Sequence, residues 1–180
     1  KCFNAAHSLE KESREKAIDI YEFMHREGYY IRAISRLWQL SMEAKEFSKA
    51  KEYARVALYY SGEEDIEKIL VSGNMCLRSQ PNDDLLDQVS TRYYMIANIS
   101  PEAGFNAGWI FQHNPRLLRS NPAHNPVPLY RAAANRGNKE AQFMMGSIMK
   151  RFQNNEVALA RFKEAASQHH LGAQFALAEM

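Results

Sequence analysis

The chain has 180 residues, 46% of them hydrophobic and 24% charged, and a formal net charge of +2. That is enough apolar material for a buried core, and the mixing of Lys and Arg with Glu and Asp excludes the one-signed surface of a nucleic-acid binder. No run approaches the roughly 20 apolar residues of a membrane span, and Lys1 opens the sequence without a charged-then-apolar leader, so no span is expected in this segment.

Apolar residues recur at steps of three and four from the start. Ala17, Tyr21 and Met24 share one helical face, followed by Ile31, Ile34, Trp38 and Ser41, and then by Phe47, Ala50, Ala54, Ala57 and Leu58. Gly28 offers a left-handed cap between the first two helices, and a short polar break around Lys45 separates the second from the third. Links this short imply antiparallel neighbours. Ile66, Ile69, Leu70, Gly73 and Leu77 mark a further helix, opened by the acids Glu63, Glu64 and Asp65, which suit the positive end of a helix dipole. Pro81 turns Gln80 away from helix, and Asn82 caps a successor with Leu86, Val89, Tyr93 and Ile96 on its apolar face, where Asp83 and Asp84 again suit the dipole.

Ser100-Pro101-Glu102 combines an N-cap, a first-turn proline and a first-turn acid, and so starts the helix carrying Phe105, Trp109 and Ile110. Four of the six prolines lie between Asn114 and Pro128, which predicts one long loop over residues 114–128. Helices are expected near 127–136, 139–151, 154–168 and 171–180. No run alternates with period two, so the class is all-α, and the chain divides into N-terminal helices over 1–113, the proline-rich loop, and C-terminal helices over 129–180.

Self-similarity is the strongest signal. Ala141-Gln142-Phe143 recurs as Ala173-Gln174-Phe175, a step of 32 residues that also carries Tyr130 onto Phe162, Ala133 and Ala134 onto Ala165 and Ala166, and Met145 onto Leu177. A period in the thirties built from two helices is the mark of helix-pair solenoids, whose units bury their apolar faces only against neighbours. The small residues let helix backbones approach, and Phe105, Trp109, Tyr130, Phe143, Phe162 and Phe175 fill the space between pairs. Trp109 is expected to be buried on that face.

Leu129-Tyr130-Arg131-Ala132-Ala133-Ala134-Asn135-Arg136-Gly137-Asn138-Lys139-Glu140-Ala141-Gln142-Phe143 resembles the Sel-one-like repeats, a branch of the tetratricopeptide superfamily. The resemblance implies an α-solenoid of antiparallel helix pairs wound into a right-handed superhelix, and a role in binding proteins. The second copy departs from the pattern with His169-His170-Leu171-Gly172 at its turn, and Arg151-Phe152-Gln153-Asn154-Asn155 stands where a glycine-rich turn is usual. Tyr93 to Ala97, Pro101 to Ile110 and Tyr130 to Ala134 are also similar to late repeats of the luminal adaptors of Hrd-type ubiquitin ligases. That narrower likeness implies the lumen of the endoplasmic reticulum and recruitment of misfolded clients; a cytosolic or bacterial interaction module, or a regulatory domain of an enzyme, is the alternative.

Catalytic and metal chemistry find no constellation here. The glycines are isolated, and the adjacent His169 and His170 face apart on a helix with no carboxylate or cysteine at a ligand step, so neither a cofactor nor a metal is expected. Cys2 and Cys76 form no disulfide framework. Asn98-Ile99-Ser100 is a glycosylation triplet if the chain is secretory. Two surfaces are candidates for partner binding. Arg32, Arg36 and Gln39 occupy the polar face of their helix, either a solvated face or, as the resemblance implies for the first helix of a pair, the lining of a concave groove. Arg116, Arg119 and His124 lie in the proline-rich loop, and long loops often carry function.

Overall fold

The structure, a computed structural model, describes residues 2–28, 31–62, 65–120 and 124–180. Glu63, Glu64, Asn121 and Pro122, used above for a helix start and for the loop, lie outside the described residues. Within them the chain is all-α, with twelve helices and no strand: α1 (Cys2–Leu9), α2 (Arg14–Arg26), α3 (Ile31–Glu43), α4 (Phe47–Tyr60), α5 (Ile66–Arg78), α6 (Asp83–Ile96), α7 (Pro101–His113), α8 (Pro115–Ser120), α9 (Pro126–Asn135), α10 (Lys139–Arg151), α11 (Asn155–Ser167) and α12 (Leu171–Ala178). Two compact units result, residues 1–89 and 90–180, and the division falls inside α6.

In the first unit α2 packs on α1 and α3, α4 packs on α3 and α5, and α3 also touches α5. Its core gathers Ala6, Ala17, Tyr21, Ala33, Leu37 and Leu40, with Phe3, Met24 and Tyr53 packed against them. Alanines at the contacts let the helix axes approach, and Tyr21 fills the space between.

The second unit repeats one joint. Gly137 (φ +89°), Gln153 (φ +60°) and His169 (φ +61°) turn left-handed just after α9, α10 and α11. In each case the next residue returns its N–H to a carbonyl of the finished helix: Asn138 to Ala133, Asn154 to Met149 and His170 to Ala165. That same residue then caps the next helix, Asn138 Oδ1 accepting from Ala141 N–H at 2.8 Å, Asn154 Oδ1 from Val157 N–H at 3.3 Å and His170 Nδ1 from Ala173 N–H at 3.0 Å. Gln153 therefore does the work of the missing glycine.

Packing in this unit is set by rings over glycines. A Cβ on Gly108 of α7 would stand 2.8 Å from Tyr130 Cε1 of α9, and one on Gly146 of α10 would stand 2.6 Å from Phe162 Cε1 of α11. Tyr130, Phe162, Ala133, Ala134 and Ala165 are buried, while Phe105, Phe143 and Ala166 are partly buried against the same clusters.

Two ring expectations are corrected. Trp109 is 40% exposed, because Gly108, one residue earlier, holds the face toward Tyr130; the indole turns away and stacks on His113 with ring centroids 4.4 Å apart. Phe175 is 73% exposed, against partial burial for its counterpart Phe143. Phe143 is covered by Phe162 and by a stacked His170, and no described helix supplies Phe175 with equivalents.

The proline-rich segment is not wholly irregular. Pro115 and Pro126 each open a helix, a position where the missing N–H costs no intrahelical bond, and Asn125 Oδ1 caps α9 from Val127 N–H at 3.0 Å.

Candidate partner-binding groove

The face of α3 that carries Arg32, Ser35, Arg36 and Gln39 borders a hollow of about 470 Å³, walled by Phe3 of α1 and by Asp65, Glu67, Lys68 and Val71 at and after the start of α5. A smaller hollow of about 220 Å³ shares Ser35, Gln39 and Val71 with it and continues to Trp38, Asn74, Met75 and Arg78. Together they form one groove along α3 and α5. Trp38 Nε1 donates to Ser79 Oγ at 2.7 Å, and Ser79 Oγ donates to the Met75 carbonyl at 2.7 Å, so the far end of the groove is fixed by a buried indole. Buried Ile34, Leu37 and Leu40 on the opposite side of α3 anchor that helix in the core.

Of the three residues expected to line a groove on α3, Arg32 and Gln39 are exposed, and all three reach the hollow. Arg36 departs from the expectation of a free surface cation. Its Nε and Nη2 donate to the two carboxylate oxygens of Glu10 at 2.8 and 2.5 Å, and its Nη1 donates to Gln39 Oε1 at 2.8 Å. Tyr21 hydroxyl donates to Glu10 Oε1 at 2.7 Å, and His7 Nδ1 lies 3.2 Å from the same oxygen. The Arg36 hydrogen bonds, reinforced by those from Tyr21 and His7 and opposed by burial, hold the Glu10 carboxyl down at about 2. Burial, followed by the neighbouring carboxylate, raises the Tyr21 hydroxyl above the ordinary phenol range. Arg36 thus locks the end of α1 to α3, and reversing its charge would strand Glu10. No local signal reveals this pair, since 26 residues separate its members.

The proline-rich candidates divide. Arg116 and Arg119 are exposed on α8. His124 is partly buried: its ring stacks on Phe111 at 4.3 Å with planes 3° apart and meets Tyr94 edge-on at 5.6 Å. Asn98 is exposed in the turn after α6, and Ser100 Oγ of the same triplet accepts from Ala103 N–H as the α7 cap.

Among the described residues no three His, Cys, Asp or Glu side chains come together as a metal ion would need, and no helix is long and apolar enough to cross a membrane. Cys76 is buried, which pushes its thiol up to about 12 and away from nucleophilic chemistry. Comparison with protein-family models and with curated proteins finds no match to this chain.

Proposed function

We propose that the chain is a non-catalytic scaffold or adaptor that holds a segment of another protein in the α3/α5 groove. The observation that carries this reading is the groove itself, an open channel walled by mixed polar and apolar side chains on two helices locked in place from behind. In this reading the helices form an α-solenoid of antiparallel pairs, wound right-handed, of the Sel-one-like kind, and the resemblance over Leu129–Phe143 supports it. A narrower form, recruitment of clients or subunits to a ubiquitin ligase in the endoplasmic reticulum, draws on the resemblance through Tyr93–Ala134 and on the exposure of Asn98.

The test is site-specific photocrosslinking of the chain with its interacting proteins. A photoreactive residue at Gln39 in the groove should capture a discrete partner, and one at Arg55, exposed on α4, should not. Equal capture at the two sites, or none at Gln39, would refute the groove reading.

A further inference from the structure

We propose that the α3/α5 groove selects an acidic segment, one that sets two carboxylates on either side of a single aliphatic side chain; this deepens the groove reading above and rests on it. Four cations border the groove, and two of them are neutralised within the chain. Arg36 is held by Glu10 at 2.5 Å and Lys68 by Asp65 at 2.7 Å. Arg32 and Arg78 are exposed, and among the described residues neither has a hydrogen bond or ion pair. They stand toward opposite ends, Arg32 in the larger hollow and Arg78 in the smaller, and the wall common to both hollows carries Val71. Two unspent guanidinium groups flanking an apolar wall complement carboxylates flanking an apolar side chain.

The geometry sets the spacing. Trp38 bonds to Ser79, the residue after Arg78, so Arg32 on α3 and Arg78 on α5 are offset by about 10 Å along the α3 axis at the helical rise of roughly 1.5 Å per residue, in addition to the separation of the two helices. An extended segment advances about 3.3 Å per residue and presents every second side chain to one face. Acids at positions i and i+4 span about 13 Å, within reach of two arginine side chains, with the aliphatic residue at i+2 over Val71. Glu67 is exposed in the lining at the Arg32 end and opposes the ligand there. Removing it should therefore tighten binding.

The experiment is fluorescence anisotropy of the full chain with three labelled, end-capped peptides that carry Glu-Ser-Leu-Ser-Glu, Gln-Ser-Leu-Ser-Gln or Lys-Ser-Leu-Ser-Lys at the centre of one neutral flank. An exposed carboxylate–arginine pair changes affinity about two- to five-fold, so the acidic peptide should bind about tenfold tighter than the glutamine peptide, with the gap closing as salt rises. Arg32→Ala and Arg78→Ala should each weaken the acidic peptide about two- to five-fold and leave the glutamine peptide unchanged. Glu67→Lys should strengthen it by a similar factor. All three positions are exposed, and an unchanged melting temperature confirms that folding is intact. Equal binding of the acidic and glutamine peptides overturns the charge selection while keeping the groove; failure of all three overturns this inference, and the crosslinking at Gln39 then judges the groove separately.

Discussion

At the scale of single residues, Glu10 decides more than its place in a short turn suggests. Its side chain is only 11% exposed and accepts from Arg36 on α3 and Tyr21 on α2, so one carboxylate ties three helices together. Its carboxyl is held at about 2 in the folded chain, against 4.5 for the group in its ordinary state. A depressed folded value stabilises the native state above the unfolded value and is lost as pH falls toward the folded one, a contribution of about 3 kcal/mol at neutral pH. Urea denaturation should therefore show stability draining away between pH 4.5 and about 2, and Glu10→Gln should flatten that part of the profile while lowering stability at pH 7. A variant with the parent's acid profile would remove Glu10 from its central place. Trp109 teaches the converse. As a ring half in solvent, its replacement by Ala should cost about 1 kcal/mol, whereas Phe111→Ala, which empties a fully buried site and unstacks His124, should cost about 3–5 kcal/mol in the same denaturation. Periodicity placed Trp109 on a helix but could not tell which of two adjacent residues the neighbouring ring would choose.

At the scale of elements, the helices and most of their ends were legible in the sequence because the causes are local. Steps of three and four located most of the apolar faces of α2 to α6, although Phe47 stands exposed at the start of α4 and Leu85, one residue before Leu86, is the fully buried leucine of α6; Ser100-Pro101 and Asn82 cap the helices expected of them. The short helix α8 is not legible in the same way, since prolines on both sides mark a loop unless one of them occupies a first-turn position, as Pro115 does. The joint between α10 and α11 departs from the repeat in sequence for lack of glycine, yet its backbone follows the same path as the joint at Gly137. The chemistry changed while the geometry stayed. Two substitutions one residue apart should then act with opposite sign: Gln153→Gly relieves a left-handed residue and should stabilise by about 0.5–1 kcal/mol, and Asn154→Ala removes the α11 cap and should destabilise by about 1 kcal/mol. Thermal unfolding measures both. Gly146→Ala bears on the packing of the same helices. Its Cβ would meet the ring of Phe162, itself only 1% exposed, so the ring has nowhere to retreat and the loss should be about 1–3 kcal/mol.

At the scale of the whole chain, what matters is how far each part depends on residues distant in sequence. The cluster around Tyr21 draws its members from Phe3 to Tyr53, the groove from Phe3 to Arg78, and the clusters around Tyr130 and Phe162 from Phe105 to Leu177. The sequence made this locality visible through its repeat of 32 residues, but it gave no sign of the Glu10–Arg36 lock, because ion pairs across helices leave no period behind. Locality has a direct consequence for truncation. Removing the residues after Val127 deletes α10 to α12 and most of α9, and with them the Tyr130 ring that covers Gly108, yet it touches no member of the first unit's cluster or groove. In a Trp109→Phe background, Trp38 is the sole remaining tryptophan, buried and bonded to Ser79. Its emission should stay that of a buried indole in the truncated chain, and the helical circular dichroism should fall only by the share of the deleted helices. If the emission instead shifts to that of a solvated indole in buffer, folding of the first unit requires the deleted residues, and a chain assembled neighbour by neighbour is the wrong description.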